Sequence, residues 1–295
     1  MIEVAAAVIQ RPDGAFLLAQ RPAGKVYAGY WEFPGGKIEP GEPAAQALAR
    51  ELHEELGMDV ERAYPWITRE YVYPHGHVRL DFFRVTRWKG KPHPREDQAI
   101  TWQQPGAPNV APMLPANAPV LASLGLPHEY AITDASGMGA GEQLARLEKR
   151  LRQGLGLVQV REPAMADAAA FTRQVLELAH RYGCKAMTKA PFAGADGVHY
   201  TASALMSLER RPEGQLAAAS CHTREELERA MALGLDFAVV GPVKDKASIG
   251  WAAFADRVAG TSIPVYAIGG LTRADMEDAW RAGAHGLAMI RGAWS

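Results

Sequence analysis

The fold of the first part of the chain is decided by Gly36-Lys37-Ile38-Glu39-Pro40-Gly41-Glu42 and, seven residues later, Arg50-Glu51-Leu52-His53-Glu54-Glu55-Leu56-Gly57-Met58. Proline is favoured at the first position of a helix, and glycine is favoured just after the last one. Pro43 and Gly57 therefore predict a helix of about four turns between them. The acidic run lies within this helix.

Three glutamates of the predicted helix point in one direction. At roughly 100° per residue, Glu51, Glu54 and Glu55 fall within one arc. Beside them lies an apolar stripe that faces the core and consists of Leu48, Leu52 and Leu56. Like charges at this spacing repel one another, so the arrangement calls for a cation. Oxygen ligands alone suit Mg²⁺ or Mn²⁺, which also bridge phosphate oxygens.

The loop before the helix distinguishes a metal site from the plain alternative, a solvated helix rich in glutamate. Glu32-Phe33-Pro34-Gly35-Gly36-Lys37 contains two adjacent glycines, which let a ligand approach the backbone closely. Gly41-Glu42 then turns the chain into the helix. The loop and the helix together favour the metal site.

Length and composition predict two domains and exclude several classes of protein. The chain has 295 residues, 48% of them hydrophobic, which suffices for two cores. A net charge of -1 provides no basic stripe, so we expect a nucleotide-sized ligand rather than a long nucleic acid. Cys184 and Cys221 form neither a disulfide framework nor a zinc motif. Without an export signal or a run of about 18 apolar residues, we expect a cytoplasmic protein outside the membrane.

Strand-like runs lie on both sides of the acidic helix. Asp13-Gly14 is a hairpin signal between residues 2–9 and a returning strand at residues 15–19. Residues 68–73 and 78–88 form two further strand-like runs after the helix. We therefore predict an α+β domain with a mixed or antiparallel sheet.

A short span rich in proline marks the domain boundary. It contains Pro105, Pro108, Pro112, Pro115 and Pro119. The breaker Gly125-Leu126-Pro127 follows it. We predict one domain at residues 1–127 and another at residues 128–295.

Short apolar runs alternate with amphipathic stretches throughout the second part of the chain. The apolar runs cover residues 130–133, 157–160, 186–188, 197–200, 216–219, 237–240, 265–268 and 286–290. Most are separated by helical stretches, at residues 141–153, 167–182, 224–233 and 273–282. Eight such units in about 165 residues predict a closed parallel barrel of the α/β class.

Residues 1–127 resemble the MutT branch of the Nudix hydrolases. The two segments quoted first match the family pattern G-x5-E-x7-R-E-U-x-E-E-x-G-U at every specified position, where U is a bulky aliphatic residue. The resemblance implies an α+β Nudix fold with a mixed sheet between helices. It also implies Mg²⁺- or Mn²⁺-dependent hydrolysis of a diphosphate linkage. The substrate that it implies is 8-oxo-dGTP, cleaved to 8-oxo-dGMP and pyrophosphate to keep mutagenic nucleotides out of DNA.

The family's metal ligands can be carried over residue by residue. They are the carbonyl of Gly35 and the carboxylates of Glu51, Glu54, Glu55 and Glu96. Such ions neutralise a diphosphate while one of them positions the attacking water. The general base is then Glu51 or Glu96, and the resemblance leaves both open. An ordinary exposed charge is the alternative interpretation of Glu96.

The resemblance also implies a binding site for the base. In it Phe33 stacks on a purine, Asn117 hydrogen-bonds the oxidised guanine, and Arg21 lies near the substrate. The structural alternatives are a core residue for Phe33, a helix N-cap for Asn117 and a solvated charge for Arg21. Gly76 replaces an arginine that contacts the base in MutT-like proteins, so the nucleotide preference stays open.

Residues from about 129 to 295 resemble the thiamine phosphate synthase and TenI family. The motifs that carry the resemblance are Tyr130-Ala131-Ile132-Thr133-Asp134, Val158-Gln159-Val160-Arg161-Glu162, Gly194-Ala195-Asp196-Gly197-Val198-His199, Ser220-Cys221-His222-Thr223, Gly241-Pro242-Val243 and Ala267-Ile268-Gly269-Gly270. They are spread in order over the whole region. The resemblance implies a (β/α)8 TIM barrel.

The barrel departs from the synthase at positions that hold metal and diphosphate. Pro163 stands where the synthase has a lysine, and Thr188-Lys189 stands where it has Asn-Asp. The magnesium-binding aspartate is missing from residues 200–203, and residues 244–248 replace a Thr-x-Thr-Lys loop. We therefore predict that the barrel does not make thiamine phosphate.

The rest of the family's ligand site is retained. A phosphorylated thiazole or a thiamine-like molecule is its implied ligand, with the phosphate on backbone amides at the strand ends. The residues concerned are Gln159, Arg161, His222, Gly269, Gly270 and Gly292. A structural His222 and a barrel that only scaffolds the first domain are the alternatives.

Fusion to such a barrel adds two alternatives for the function of the whole chain. In the first alternative, the first domain hydrolyses damaged thiamine-type diphosphates. In the second alternative, the whole protein is a ligand sensor without enzymatic activity. The complete set of carboxylates in the first domain argues against the sensor.

Overall fold

The computed structural model describes residues 1–74, 76–95, 98–245 and 247–295. These residues divide into two compact units, Met1–Gly125 and Leu126–Ser295. Each unit has its own hydrophobic core. In the described part of the chain, no helix has both the length and the apolar composition that crossing a membrane requires.

The first unit is built on two sheets. Its elements are β1 (Ile2–Ile9), β2 (Phe16–Gln20), β3 (Trp31–Glu32), β4 (Gly35–Lys37), α1 (Ala44–Leu56), β5 (Asp59–Tyr73), β6 (Gly76–Lys89), β7 (Ile100–Gln103) and α2 (Ala118–Leu124). The four-stranded sheet has the order β4-β1-β6-β5 and is mixed, since β1 is parallel to β6 and antiparallel to β4. A second, antiparallel sheet has the order β3-β2-β7.

The mixed sheet lies between the two helices, as the resemblance to the Nudix hydrolases implies. Alternate residues of β1 enter different cores: Ala7 packs in the core that contains the leucines of α1, and Val8 packs in the core that contains Val120 of α2. The predicted apolar stripe is fully buried, with Leu48, Leu52 and Leu56 all 0% exposed. Burial of each such leucine side chain stabilises the folded state by about 1.5–3 kcal/mol. This burial holds the acidic face of α1 in place.

The predicted hairpin between the first two strands does not form a ladder. The turn itself is present, with Gly14 at a φ of 84° and the amide of Ala15 donating to the Asp13 carboxylate at 3.0 Å. Only one isolated bridge, between Gln10 and Phe16, joins the two segments. A strand has two edges, and those of β1 pair with β4 and β6. The strand β2 therefore joins the second sheet.

Two predicted boundaries in the first unit differ from the observed ones. Pro43 was predicted at the first position of the helix, but it occupies the N-cap, and α1 begins at Ala44. Gly57 ends the helix as predicted, in the left-handed conformation with a φ of 63°. The strand β5 starts at Asp59, well before the predicted residue 68. Its early part contains Pro65 and several register shifts, which hide the alternating pattern. Proline is tolerated there because β5 is an edge strand.

The second unit is a closed barrel of eight parallel strands in the order β8-β9-β10-β11-β12-β13-β14-β15, with β15 pairing with β8. Its elements are β8 (Glu129–Ile132), α3 (Ala135–Met138), α4 (Ala140–Arg152), β9 (Leu157–Val160), α5 (Ala168–Arg181), β10 (Lys185–Thr188), β11 (Gly197–Tyr200), α6 (Ala202–Met206), β12 (Leu216–Cys221), α7 (Arg224–Ala232), β13 (Phe237–Val240), α8 (Gly250–Val258), β14 (Val265–Ile268), α9 (Met276–Arg281) and β15 (Gly286–Met289). The predicted barrel is confirmed.

The barrel has an inner and an outer core. Large side chains such as Tyr130, Phe237 and Tyr266 fill the interior, and each is 0% exposed. The outer core packs the helices against the strands, with Val175 and Phe254 among its members. A filled interior leaves the strand ends as the place where a ligand can bind.

Candidate functional site

In the candidate active site, the acidic helix α1 packs closely against the glycine loop. A Cβ atom added to Gly36 would lie 2.1 Å from the carboxyl carbon of Glu51. A side chain at position 36 would therefore displace this carboxylate from its place against the backbone of β4. The side chain of Glu51 is 17% exposed. The glycine loop and the acidic helix, the two halves of the motif, are thus in contact through the carboxylate of Glu51.

Arg50 organises the acidic groups around it. Its guanidinium donates to Glu51 at 2.7 Å, to Glu42 at 3.0 Å and 3.1 Å, and to the carbonyl of Lys37 at 3.0 Å. Glu54 lies at 3.5 Å and is 57% exposed. Hydrogen bonds to Glu42 and Glu51 raise the pKa of Arg50, and the bond from Arg50 lowers the pKa of Glu42. This arginine holds the carboxylates of Glu42 and Glu51 close together.

The donor set suits a hard divalent cation, although it is not assembled around one. Within the ranges that the structure describes, no group of three or more acidic, histidine or cysteine side chains is placed to share an ion. Glu51 and Glu54 instead turn toward Arg50, and Glu55 lies on the same helix, half-buried. Glu96 lies outside the described residues. Carboxylate oxygens beside a glycine backbone are the ligands that Mg²⁺ and Mn²⁺ prefer, so the residues fit these ions.

Asn117 is the buried polar residue of the first unit that most clearly lacks a partner. It is 1% exposed, and its Oδ1 atom has no hydrogen-bond partner among the described residues. It stands at the N-cap of α2, yet its side chain makes no capping hydrogen bond. A buried oxygen without a hydrogen bond destabilises the fold by about 1–3 kcal/mol. A hydrogen-bond donor on a bound ligand would remove this cost.

The other two predicted base-binding residues have partners within the protein. Phe33 is 3% exposed, and its ring centroid lies 5.9 Å from that of Phe16 and 5.7 Å from that of Phe82. Arg21 donates to both oxygens of Glu32, at 2.8 Å and 2.7 Å. Burial raises the pKa of Glu32, while the charge of Arg21 opposes that shift. Their roles toward a substrate stay predictions.

Aromatic residues that were not predicted as part of the site share this core. Tyr73 at the end of β5 belongs to the same apolar cluster as Phe33 and Ala116, the neighbour of Asn117. The ring of Tyr27 packs 5.5 Å from the ring of Tyr73. Tyr27 also has a φ of 60°, which is unusual for a residue other than glycine. The alternation of Tyr71 and Tyr73 in one strand was the available signal.

The barrel has a cavity of about 730 Å³ where its strands end. All six residues predicted for the barrel ligand line it: Gln159, Arg161, His222, Gly269, Gly270 and Gly292. A Cβ atom at Gly269 would lie 2.6 Å from the Cα atom of Pro242, and one at Gly292 would lie 2.2 Å from the carbonyl oxygen of Leu271. Only glycines permit these loops to pack so closely. The structure thus brings the predicted residues together.

A buried relay that the sequence analysis did not predict also reaches the cavity. Nδ1 of His199 lies 2.9 Å from the hydroxyl of Tyr130, and Nε2 lies 2.9 Å from the hydroxyl of Ser220. Burial lowers the pKa of His199 to about 3, with smaller contributions from Arg161 and Lys189. The imidazole is therefore neutral at physiological pH. If Tyr130 donates to Nδ1, then Nε2 donates to Ser220, and the hydroxyl proton of Ser220 is free to be donated to a ligand in the cavity that this serine lines.

One basic residue of the loop after β13 is neutralised. Lys244 forms an ion pair with Asp275, which in turn accepts a hydrogen bond from the amide of Thr272 at 2.8 Å. The predicted replacement of the diphosphate-binding loop therefore leaves this lysine engaged with a carboxylate. Lys246, in the same loop, lies outside the described residues.

Comparison with known proteins assigns each region of the chain to one family. A model described as NUDIX domain matches residues 5–123, and a model described as Thiamine monophosphate synthase matches residues 129–293. The chain is 43% identical to the CTP pyrophosphohydrolase of Escherichia coli, over 41% of this chain and 89% of that protein. It is 37% identical to the 8-oxo-dGTP diphosphatase of Escherichia coli, over 42% and 95%. It is 35% identical to a putative thiamine-phosphate synthase of Geobacter sulfurreducens, over 55% and 84%.

Proposed function

Because the chain belongs to the NUDIX domain family in its first region and to the thiamine monophosphate synthase family in its second, we propose that it is a Nudix hydrolase that cleaves 8-oxo-dGTP. The products are 8-oxo-dGMP and pyrophosphate. This reaction removes a mutagenic nucleotide before a polymerase can use it. The barrel contributes ligand binding rather than a second synthesis.

The observation that carries the proposal is the joining of glycine loop and acidic helix at Glu51. Arg50 holds this carboxylate and Glu54 on the exposed side of a helix whose other side is fully buried. A Mg²⁺ or Mn²⁺ ion at Glu51, Glu54 and Glu55 would neutralise the triphosphate and lower the pKa of the attacking water. Glu51 then accepts the water's proton, unless Glu96 does so.

The unpartnered Oδ1 atom of Asn117 supports an oxidised guanine as the preferred base. Oxidation at C8 converts N7 of guanine from an acceptor into an N–H donor. A carboxamide can accept from that N–H and donate to the neighbouring O6, and a bidentate contact of this kind is worth about 1–3 kcal/mol. Unmodified guanine presents two acceptors along this edge. The side chain therefore provides a physical basis for discrimination.

Two other substrates are favoured by specific observations. CTP is supported by the 43% identity to a CTP pyrophosphohydrolase, since an asparagine also pairs with the cytosine edge. A damaged thiamine-type diphosphate is supported by the fused barrel of the thiamine monophosphate synthase family and its cavity of about 730 Å³. Both use the same diphosphate chemistry.

The test is a kinetic panel on the full chain with Mg²⁺. We expect kcat/KM for 8-oxo-dGTP to exceed the values for dGTP, CTP, oxidised thiamine diphosphate and ADP-ribose by at least roughly tenfold. Pyrophosphate is measured for the nucleoside triphosphates, inorganic phosphate for oxidised thiamine diphosphate and AMP for ADP-ribose. A higher value for CTP or for the thiamine compound assigns the activity to that substrate and rejects the sanitising role.

For the barrel, we expect no thiamine phosphate synthesis. The reaction needs a metal-bound diphosphate leaving group, and Lys244 is already paired with Asp275. The full chain should therefore fail to support growth of a synthase-deficient strain without thiamine, while an authentic synthase supports it. Growth with the full chain would show that the changed loops still catalyse the reaction.

A further inference from the structure

Asn117 is carried by a short 3-10 turn, Pro115–Asn117, that leads directly into α2. One side of this turn is tied to β3 through the backbone. The amide of Leu114 donates to the carbonyl of Trp31 at 3.0 Å, and the amide of Asn117 donates to the carbonyl of Leu114 at 2.9 Å. The first amides of a helical turn have no partner within the turn itself. The amide of Ala116 is such a group, so it needs an acceptor from elsewhere.

Tyr73, the last residue of β5, provides that acceptor. Its side chain is 7% exposed and belongs to the same apolar cluster as Ala116. Burial raises the pKa of Tyr73, and a hydrogen bond with the backbone of Ala116 opposes the rise. A hydrogen bond lowers the pKa of a phenol when the phenol oxygen accepts it, so the donor is the amide of Ala116. The hydroxyl of Tyr73 therefore holds the second side of the turn.

The ring of Tyr73 is itself held in place by its neighbours. Its centroid lies 4.5 Å from that of Tyr71 and 5.5 Å from that of Tyr27. Aromatic pairs at such distances stabilise one another beyond the area that they bury. In the strand ladder, Tyr73 is paired with Gly76 of β6. Because the ring is fixed by the sheet and by two other rings, its hydroxyl can define where the turn lies.

The position of the Asn117 side chain follows from the position of this turn. The Oδ1 atom has no hydrogen-bond partner among the described residues, and the side chain does not cap α2. A displacement of the turn would therefore carry Oδ1 with it. Hydrogen bonds weaken steeply when their distance or angle departs from the optimum. A contact between Asn117 and a base thus depends on what anchors the turn.

We propose that Tyr73 is a positioning residue for base recognition: its hydroxyl fixes the turn Pro115–Asn117 and thereby aims Asn117 at the base. This inference rests on the proposed reading of the base by Asn117 and names the group that makes the reading selective. Tyr73 acts through Asn117, so its hydroxyl needs no contact with the nucleotide. The acidic helix that cleaves the diphosphate is not involved.

The test is Tyr73→Phe in the full chain with Mg²⁺, assayed with 8-oxo-dGTP and dGTP. Phenylalanine keeps the packing of the ring and removes only the acceptor. The ratio of kcat/KM for 8-oxo-dGTP to kcat/KM for dGTP should fall roughly five- to tenfold, through a higher KM for 8-oxo-dGTP. The kcat for dGTP should not change. An unchanged ratio, or an equal loss for both nucleotides, overturns the proposal.

Tyr71→Phe is the matched control. Tyr71 lies on the same strand and its ring contacts that of Tyr73, but its side chain is 36% exposed. Within the described ranges, its hydroxyl makes no hydrogen bond. This variant removes the same group from the same aromatic cluster and should leave the ratio unchanged. Equal changes in both variants would assign the effect to the cluster as a whole and contradict the role of the Tyr73 hydroxyl.

A double-mutant cycle with Asn117→Ala tests whether Tyr73 acts through Asn117. In the Asn117→Ala background, Tyr73→Phe should alter the ratio by less than about twofold, because no carboxamide is left to position. Fully additive effects overturn the proposal. If Asn117→Ala itself leaves the ratio unchanged, the proposed base readout and this inference fail together. If Asn117→Ala is selective and Tyr73→Phe is not, only this inference fails.

Discussion

Glu54→Gln is expected to lower kcat for nucleotide hydrolysis by roughly 100- to 1,000-fold with little effect on stability. The change keeps the shape of the side chain and removes the charge that a divalent cation needs. Glu54 is 57% exposed and approaches Arg50 only to 3.5 Å, so the fold does not depend on it. Steady-state kinetics with 8-oxo-dGTP and a thermal melt measure the two quantities.

The matched control for this experiment is Glu70→Gln. Glu70 lies on β5, is 55% exposed and contacts His77 at 3.1 Å. The control removes the same charge from the same unit and should leave kcat unchanged. If Glu54→Gln hydrolyses the substrate as fast as the control does, the acidic helix is not the catalytic centre and the proposed mechanism is wrong.

The second large effect concerns the base. Asn117→Ala should cost about 1–3 kcal/mol in kcat/KM for the preferred nucleotide and much less for the others. The Oδ1 atom is buried without a partner in the described structure, so its removal should not lower the melting temperature strongly. Large effects on activity with small effects on stability distinguish a ligand contact from a structural one.

Asn109→Ala provides the comparison, since Asn109 is exposed and its contact with Gln103 is made by the backbone amide. The two variants are assayed with 8-oxo-dGTP, dGTP and CTP. A uniform loss for all three nucleotides in Asn117→Ala would contradict base readout and leave Asn117 as a residue that positions α2.

The chemistry of the active helix could be predicted because it depends on local spacing. Carboxylates three and four residues apart share a helix face whatever surrounds the helix, and the leucine stripe tells which face is buried. The barrel could also be predicted from the sequence, since strands buried on both faces appear as apolar runs in order along the chain. Both predictions use periodicity, which survives without any knowledge of tertiary contacts.

The pairing of the strands could not be predicted from the sequence in this way. The turn at Asp13 and Gly14 is correct locally, yet β1 has both edges occupied by β4 and β6. Which strands compete for an edge is decided by residues distant in sequence. The same reason explains the early start of β5, whose irregular pairing with β6 compensates for Pro65.

By itself, the sequence determined the two-domain order, the acidic helix with its glycine loop and the ring of apolar strands. Only the tertiary structure decided which polar groups have partners. It placed Arg21 against Glu32 and Lys244 against Asp275, while it left Asn117 and Lys189 without one among the described residues. The physical reason is range: helix and strand periodicity arise from neighbours along the chain, whereas a charge is neutralised or left free by groups that folding brings near it.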